Sequence, residues 1–260
     1  DRLQPGCMIS GRLGNDYVDF AVMADNEYPE YKLGVPWQTA ASVFDETWGY
    51  RSWQERGEVQ PKVKEKIESL VKVVSRGGNY LLNIGPKGDG SVVPFEKDVL
   101  NGIGEWINVH GEAIYGTRAN PFHDSYNWGD ITSTDNHLYA FVNDPSTKKI
   151  ELQGINGDIS GVHLLSSGNP LPYTLKDRVL QIDLSGMNPG EILPVVKIEF
   201  QDGYSVLPDP IVKGRELTLV NAMPLFGHSS LNYYAGYKSL IGYDWAWQRR
   251  SGRYTPELQF

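Results

Sequence analysis

Cysteine is nearly absent. Cys7 is the only one in 260 residues, so an intrachain disulfide and any cysteine-built metal cluster are excluded. Basic charge is also scarce: 24 Lys and Arg against 32 Asp and Glu leave a formal net charge of −8. A general nucleic-acid binder needs a basic footprint, and none is present. No apolar run approaches the roughly 18 residues that a membrane-spanning helix requires. The five histidines, His110, His123, His137, His163 and His228, show no pairing at a familiar metal-ligand spacing. No metal site is expected. The chain opens on Asp1 with no initiating Met and no signal peptide, so its compartment is not directly readable.

A phosphate-cradling loop is missing as well. The glycine-rich stretch "SRGGNYLLNIGPKGDG", residues 75–90, places its double glycine before an apolar run. A phosphate loop places glycines after a strand, at the opening of a helix, with a Lys-Ser/Thr pair or the dinucleotide spacing. The approach to Gly77 reads as a helix: Pro61 suits a first helical position, and Val63, Ile67, Leu70, Val71 and Val74 recur on one face. Gly77 and Gly78 end it. Asn79–Ile84 then reads as a strand buried on both faces of a parallel sheet.

Aromatic residues are plentiful, with seven Trp and fifteen Tyr. Trp37, Trp48, Tyr50 and Trp53 fall near expected loops. Aromatic faces beside carboxylates and amides suit a sugar cleft, and core packing explains them equally well.

The texture divides the chain in three. Residues 1–118 mix strands with helices: "CMIS" (Cys7–Ser10), "WQTAASVF" (Trp37–Phe44) and "NYLLNIGP" read as strands. Phe95–His110 reads as a helix with Val99, Leu100, Ile103, Trp106 and Ile107 as its apolar stripe. Such alternation indicates βα units and a parallel sheet. Residues 119–206 carry short alternating strands between turn signals ("HLYAFV", "KKIELQGI", "GVHLLSSG", "RVLQIDL", "LPVVKIEF"), the pattern of an antiparallel β-sandwich. After "LPDPIVKG", residues 207–260 read as the start of an additional β-rich domain.

"SRGGNYLLNIGPKGDGSVVP", "GEWINVHGEAIYGT" and "PWQTAASVFDETWGY" together resemble the α-L-fucosidases of glycoside hydrolase family 29. The resemblance covers roughly residues 5–118, with several separated motifs in the expected order. It implies a (β/α)8 barrel of the TIM type with sugar bound at the carboxyl ends of the strands, followed by the family's β-domain. A whole barrel takes about 250 residues, so residues 1–118 are expected to be its C-terminal half, within a longer enzyme or beside a second chain that supplies the N-terminal half.

The implied reaction is retaining hydrolysis of terminal α-L-fucosyl linkages in glycans. It needs two carboxyl groups, one attacking the sugar carbon and one protonating the leaving oxygen. The family's nucleophile lies in a Trp-x-Asp-Gly type of motif ahead of an Asn-Asp-Arg stretch. Here that stretch reads "SGR", Ser10–Arg12, and no Trp-x-Asp-Gly precedes it, so the nucleophile is expected outside this chain. Arg12 resembles the family's sugar-contacting Arg. The acid/base is sought in "DYVDFAVMADNEYPE", with Asp19, Asp25, Glu27 and Glu30. Asp25 and Glu27 are favoured over their neighbours, and Glu55 is a third candidate. Trp48 stands where the family places an aromatic against fucose, and Trp37 is a second cleft candidate, with barrel core as the alternative for both. Asn83 is expected near the strand end, either facing sugar or holding a loop backbone. The alternative to an enzyme is a noncatalytic glycan-binding protein derived from one. The resemblance further implies an extracytoplasmic setting: secreted, periplasmic or lysosomal-like.

Overall fold

The computed structural model describes residues 3–13, 18–29, 32, 33, 35–122, 126–187 and 190–207, with strand backbone also at 223–224 and 258–259. By packing, the chain forms two compact units. One draws on Asp1–Gln54 and Arg76–Val93, the other on Glu55–Ser75 and Pro94–Leu217. This division cuts across the expected boundary at 118, because the two long helices pack with the sandwich strands.

The first unit is a parallel sheet. Strand β1 (Ala21–Val22) pairs with β2 (Trp37–Ser42), and β2 pairs with β3 (Gly78–Asn83), from Trp37↔Gly78 to Ser42↔Asn83. Ser10 joins ahead of β1 through one parallel bridge to Phe20, so "CMIS" contributes a bridge rather than a full strand. The order across the sheet follows the order in the chain.

One contact sets the register. Trp37 is fully buried, and its ring lies over Gly78, where an added Cβ would sit 2.3 Å from Trp37 Cζ2. Its indole N–H donates to the Arg76 carbonyl at 3.0 Å. Such a carbonyl, just past a helix end, otherwise lacks an intrahelical partner. Gly77 follows with φ 79°, the left-handed geometry that closes a helix and suits glycine. Asn79 donates its side-chain amide to the Trp37 carbonyl, which ties the two strands again at the same level.

Burial on both faces, expected for β3, is not what forms. Leu81 is 53% exposed and Asn79 is exposed as well. Among the described residues β3 pairs only with β2, so it is an edge strand, and the face carrying Asn79 and Leu81 is left open.

The second unit joins two helices to a β-sandwich. Helix α1 (Val59–Ser75) buries Val63, Ile67 and Val71, and α2 (Pro94–His110) buries Val99 and Trp106. Leu100, placed on the apolar stripe by periodicity, is 37% exposed. The strands are β4 (Gly129–Ser133), β5 (His137–Val142), β6 (Lys149–Gln153), β7 (Ile155–Asn156), β8 (Ile159–Leu164), β9 (Tyr173–Lys176), β10 (Val179–Asp183), β11 (Val195–Phe200) and β12 (Ser205–Val206). They form antiparallel sheets in the orders β4-β5-β11-β8, β6-β10-β9 and β12-β7.

Alternation assigns β5 two jobs. Leu138, Ala140 and Val142 enter the core with Ile150, Leu152, Leu180, Ile182, Val196 and Ile198. Tyr139 and Phe141 face the other way, against Val63, Ile67, Val71, Val99 and Trp106. The Trp106 indole N–H donates to the Ile192 carbonyl at 2.9 Å. Beyond β12, Met223–Pro224 pairs antiparallel with Leu258–Gln259. The rest of the expected additional domain lies outside the described residues. Among the described residues no helix is long and apolar enough to cross a membrane.

Two outcomes follow. Gly78→Ala drives a methyl into the Trp37 ring and is expected to lower stability by about 1–3 kcal/mol, read as a lower denaturant midpoint at unchanged slope. The second concerns Glu191. His110 stacks on Trp106 at 4.7 Å and brings Nε2 within 3.4 Å of Glu191 Oε1. That neighbour holds the Glu191 carboxyl below its ordinary 4.5, outweighing burial. A carboxyl whose folded value is lowered stabilises the fold fully above its unfolded value and loses that contribution as pH falls through the folded one. Glu191→Gln is therefore expected to be less stable than the native chain at neutral pH. Thermal unfolding should show the gap closing well below pH 4.5.

Candidate active site

The carboxyl ends of the parallel strands gather most of the residues singled out in the sequence. Arg12 lies in a 3-10 turn, Gly11–Leu13, directly after the Ser10 bridge. Asp25 and Glu27 follow β1, Trp48 follows β2, and Asn83 ends β3. Sheets of this kind place ligands beyond the carboxyl ends of their strands. Glu55 belongs to the second unit, ahead of α1, and is exposed. Glu30 lies outside the described residues.

Arg12 and Asp25 form an ion pair between Nη2 and Oδ1. Both are partly open to solvent, at 42% and 38% of their side chains, and such pairs contribute about 0–1 kcal/mol. The pair's main effect is therefore to orient two charged groups. Asp19 is spent on structure: its Oδ2 accepts the Ile9 N–H at 2.6 Å, beside the Asp19 N–H that donates to the Ile9 carbonyl. Among the described residues Glu27 makes no ion pair. Its backbone is held on both sides, with its N–H donating to the Ala24 carbonyl at 3.1 Å and its own carbonyl accepting the Thr39 hydroxyl.

A residue that periodicity and motif left unmarked stands between these two carboxylates. Asn26 has φ 58°, the left-handed geometry that asparagine tolerates and that the third residue of a type II turn requires. Its N–H donates to the Ala40 carbonyl at 2.8 Å. Its Oδ1 accepts the N–H of buried Ser42 at 2.7 Å, and its Nδ2 donates to the Asp45 carbonyl at 3.5 Å. The Asp-Asn pair in "ADNE" was the available signal, since such pairs mark turns.

For Trp37 the core alternative is the one in place: exposure is 0%, and added chain could only bury it further. Trp48 differs, at 38% exposed. Two contacts fix its loop. Asn83 Nδ2 donates to the Trp48 carbonyl at 2.8 Å, and Gly85 lies so close to Gly49 that an added Cβ would come within 2.8 Å of its carbonyl carbon. Asn83 thus holds a loop backbone.

The "KGDGS" segment folds on itself. Lys87 N–H donates to the Ser91 carbonyl, Gly90 N–H to the Lys87 carbonyl, and Asp89 accepts from Ser91. Those amides close a turn and do not converge on a phosphate.

Comparison with known proteins agrees with the resemblance. The family profile for alpha-L-fucosidase matches residues 1–112. Tissue alpha-L-fucosidase of Homo sapiens is 35% identical over 147 residues, which is 50% of this chain and 30% of that protein. That of Macaca fascicularis is 35% identical over 169 residues, 63% of this chain and 35% of that protein. Among solved structures, alpha-L-fucosidase isoenzyme 1 from Paenibacillus thiaminolyticus matches with a TM-score of 0.67 at 27% identity, covering 77% of this chain and 52% of that one. An alpha-L-fucosidase from Vibrio sp. matches with a TM-score of 0.65 at 29% identity, covering 74% and 34%. The chain spans about a third of the length of these curated relatives.

Asn83→Ala releases the Trp48 carbonyl. Hydrogen exchange at the Gly49 and Tyr50 amides is expected to speed up at least several-fold, while global stability falls by only about 0.5–1.5 kcal/mol, the range for one partly exposed hydrogen bond.

Proposed function

We propose, on the premise that residues 1–112 belong to the alpha-L-fucosidase family, that the protein carrying this chain is a glycosidase that hydrolyses terminal α-L-fucosyl linkages with retention. The observation that carries this reading is the rim itself. Arg12, Asp25, Glu27, Trp48 and Asn83 all follow or end successive parallel segments whose sheet order is their chain order. That arrangement suits part of a (β/α)8 barrel, with the β-sandwich as its companion domain. On this reading residues 1–118 are the C-terminal half of the barrel, 119–206 the sandwich and 207–260 the start of a further β-domain, although α1 and α2 pack with the sandwich strands.

In this reading the attacking carboxylate lies outside residues 1–260, since no Trp-x-Asp-Gly motif precedes Ser10–Arg12. The partner carboxyl donates a proton to the leaving oxygen and then takes one from water. Glu27 suits that role better than Asp25, because an Asp25 oxygen is already engaged by Arg12. Asp25 then aims Arg12 at the sugar hydroxyls, and Trp48 offers an aromatic face to the apolar side of fucose. Glu55 stands as the remaining carboxyl candidate. The substrate is a fucosylated glycan met outside the cytoplasm, as the family's degradative chemistry favours. The reaction needs no cofactor.

Hydrolysis of an aryl α-L-fucoside by the intact protein tests this. Glu27→Ala is expected to lower kcat by about 10²–10⁴-fold, the usual worth of a general acid/base. Azide should restore turnover as a fucosyl azide, because azide replaces the water that the lost base would activate. Asp25→Ala should raise KM without azide rescue, and Glu55→Ala should leave both constants near native. Fucose binding without turnover in the native protein would overturn the enzyme reading in favour of a glycan-binding protein.

A further inference from the structure

We infer that Asn26 is a positioning residue for proton transfer: its carboxamide is the clasp that locks the Asp25–Glu27 turn to the end of β2 and so aims Glu27 at the leaving oxygen. This rests on the reading of Glu27 as the acid/base.

The chain leaving β1 runs beside β2 rung by rung. Ala21 N–H donates to the Pro36 carbonyl, Met23 N–H to that of Gln38, and Asn26 N–H to that of Ala40. Between the second and third rungs the chain inserts a turn, closed by the Glu27 N–H on the Ala24 carbonyl. The turn carries Asp25 and Glu27 on either side of Asn26. The next donor up β2, the N–H of Ser42, meets no backbone acceptor among the described residues, and Ser42 is only 1% exposed. Asn26 Oδ1 supplies the missing acceptor. One side chain thereby completes the ladder and fixes the turn.

Its second arm reaches onward. Nδ2 donates to the Asp45 carbonyl, at the root of the loop that carries Trp48. The same amide therefore ties the segment bearing the proton donor to the segment bearing the aromatic platform. Thr39 secures the far side of the turn through the Glu27 carbonyl. A carboxyl on a backbone held this way loses little freedom to find the leaving oxygen, and misplacement by about 1 Å can cost on the order of a hundredfold in rate.

Leaving-group dependence separates positioning from general loosening. A fucoside whose leaving group is a strongly acidic phenol departs with little protonation, whereas a fucosyl disaccharide needs the proton. The intact protein is compared with Asn26→Gly, which keeps the positive φ and deletes the clasp, and with Asn26→Asp, which keeps the acceptor oxygen. Expected for Asn26→Gly is a loss in kcat/KM, which reports the first, proton-donating step, of about 10–100-fold on the disaccharide and under about threefold on the activated aryl fucoside. Asn26→Asp should restore disaccharide turnover to within a few-fold of native. Should Asn26→Gly not fold, Asn26→Ser, with one acceptor on a shorter arm, is expected to show the same selectivity at smaller size. Equal losses on both substrates, or none on either, in a variant of an active native protein would overturn the role of Asn26 alone. A native protein that hydrolyses neither substrate would overturn the fucosidase reading, and this role with it.

Discussion

Everything at the rim is referred to one contact, the Trp37 ring over Gly78. A tryptophan this size can lie flat across a neighbouring strand only where that strand offers no Cβ. The contact therefore disfavours a slip that sets Asn79 against the ring, while Gly77 on the other side is held in the helix-closing turn at φ 79°. With Trp37 opposite Gly78, Ser42 must stand opposite Asn83. Those two residues then organise the loops beyond them: Ser42 through Asn26, and Asn83 through the Trp48 carbonyl. A packing event at one end of the sheet thus sets the geometry at the other.

The rim relies on hydrogen bonds more than on charge. The Arg12–Asp25 pair is screened by water and orients more than it stabilises. The Asn26 clasp on the Ser42 N–H is different, because that buried group would be costly to leave unpaired. Asn26 and Asn83 take equivalent parts. Each uses a carboxamide to finish backbone pairing where a strand gives way to a loop: Asn26 both accepts and donates, and Asn83 donates. A carboxylate or a hydroxyl supplies only part of that bonding capacity.

In the second unit the limiting element is β5. It is buried on both faces, one toward the sandwich core and one toward α1 and α2. On the outer face of β11, Lys197 lies within 3.0 Å of Glu112 and 3.2 Å of Glu199. Burial works to depress that ammonium, but the two carboxylates outweigh it and hold it above its ordinary value. Tyr204, stacked on Phe200, is pushed up to about 12 mainly by burial. These groups all belong to the second unit.

Much was legible in the residues. The 3.6 period placed both helices, Pro94 and Gly77 marked their ends, and five sandwich strands were visible as alternating runs. The motifs pointed to the family. β1, β7 and β12 were not legible, because two-residue strands are stabilised by their neighbours rather than by their own pattern. Nor could local sequence separate Trp37 from Trp48, since both are tryptophans beside a strand. Only the Gly78 opposite one of them sent it inward. The weight of Asn26 was hidden for the same reason. Local sequence determines where the chain turns and which segments become helix or strand, because those preferences act over a few residues. The tertiary structure alone decided which side chain reaches across a gap in the ladder, since Asn26 and Ser42 are 16 residues apart and meet only once β1 and β2 are paired.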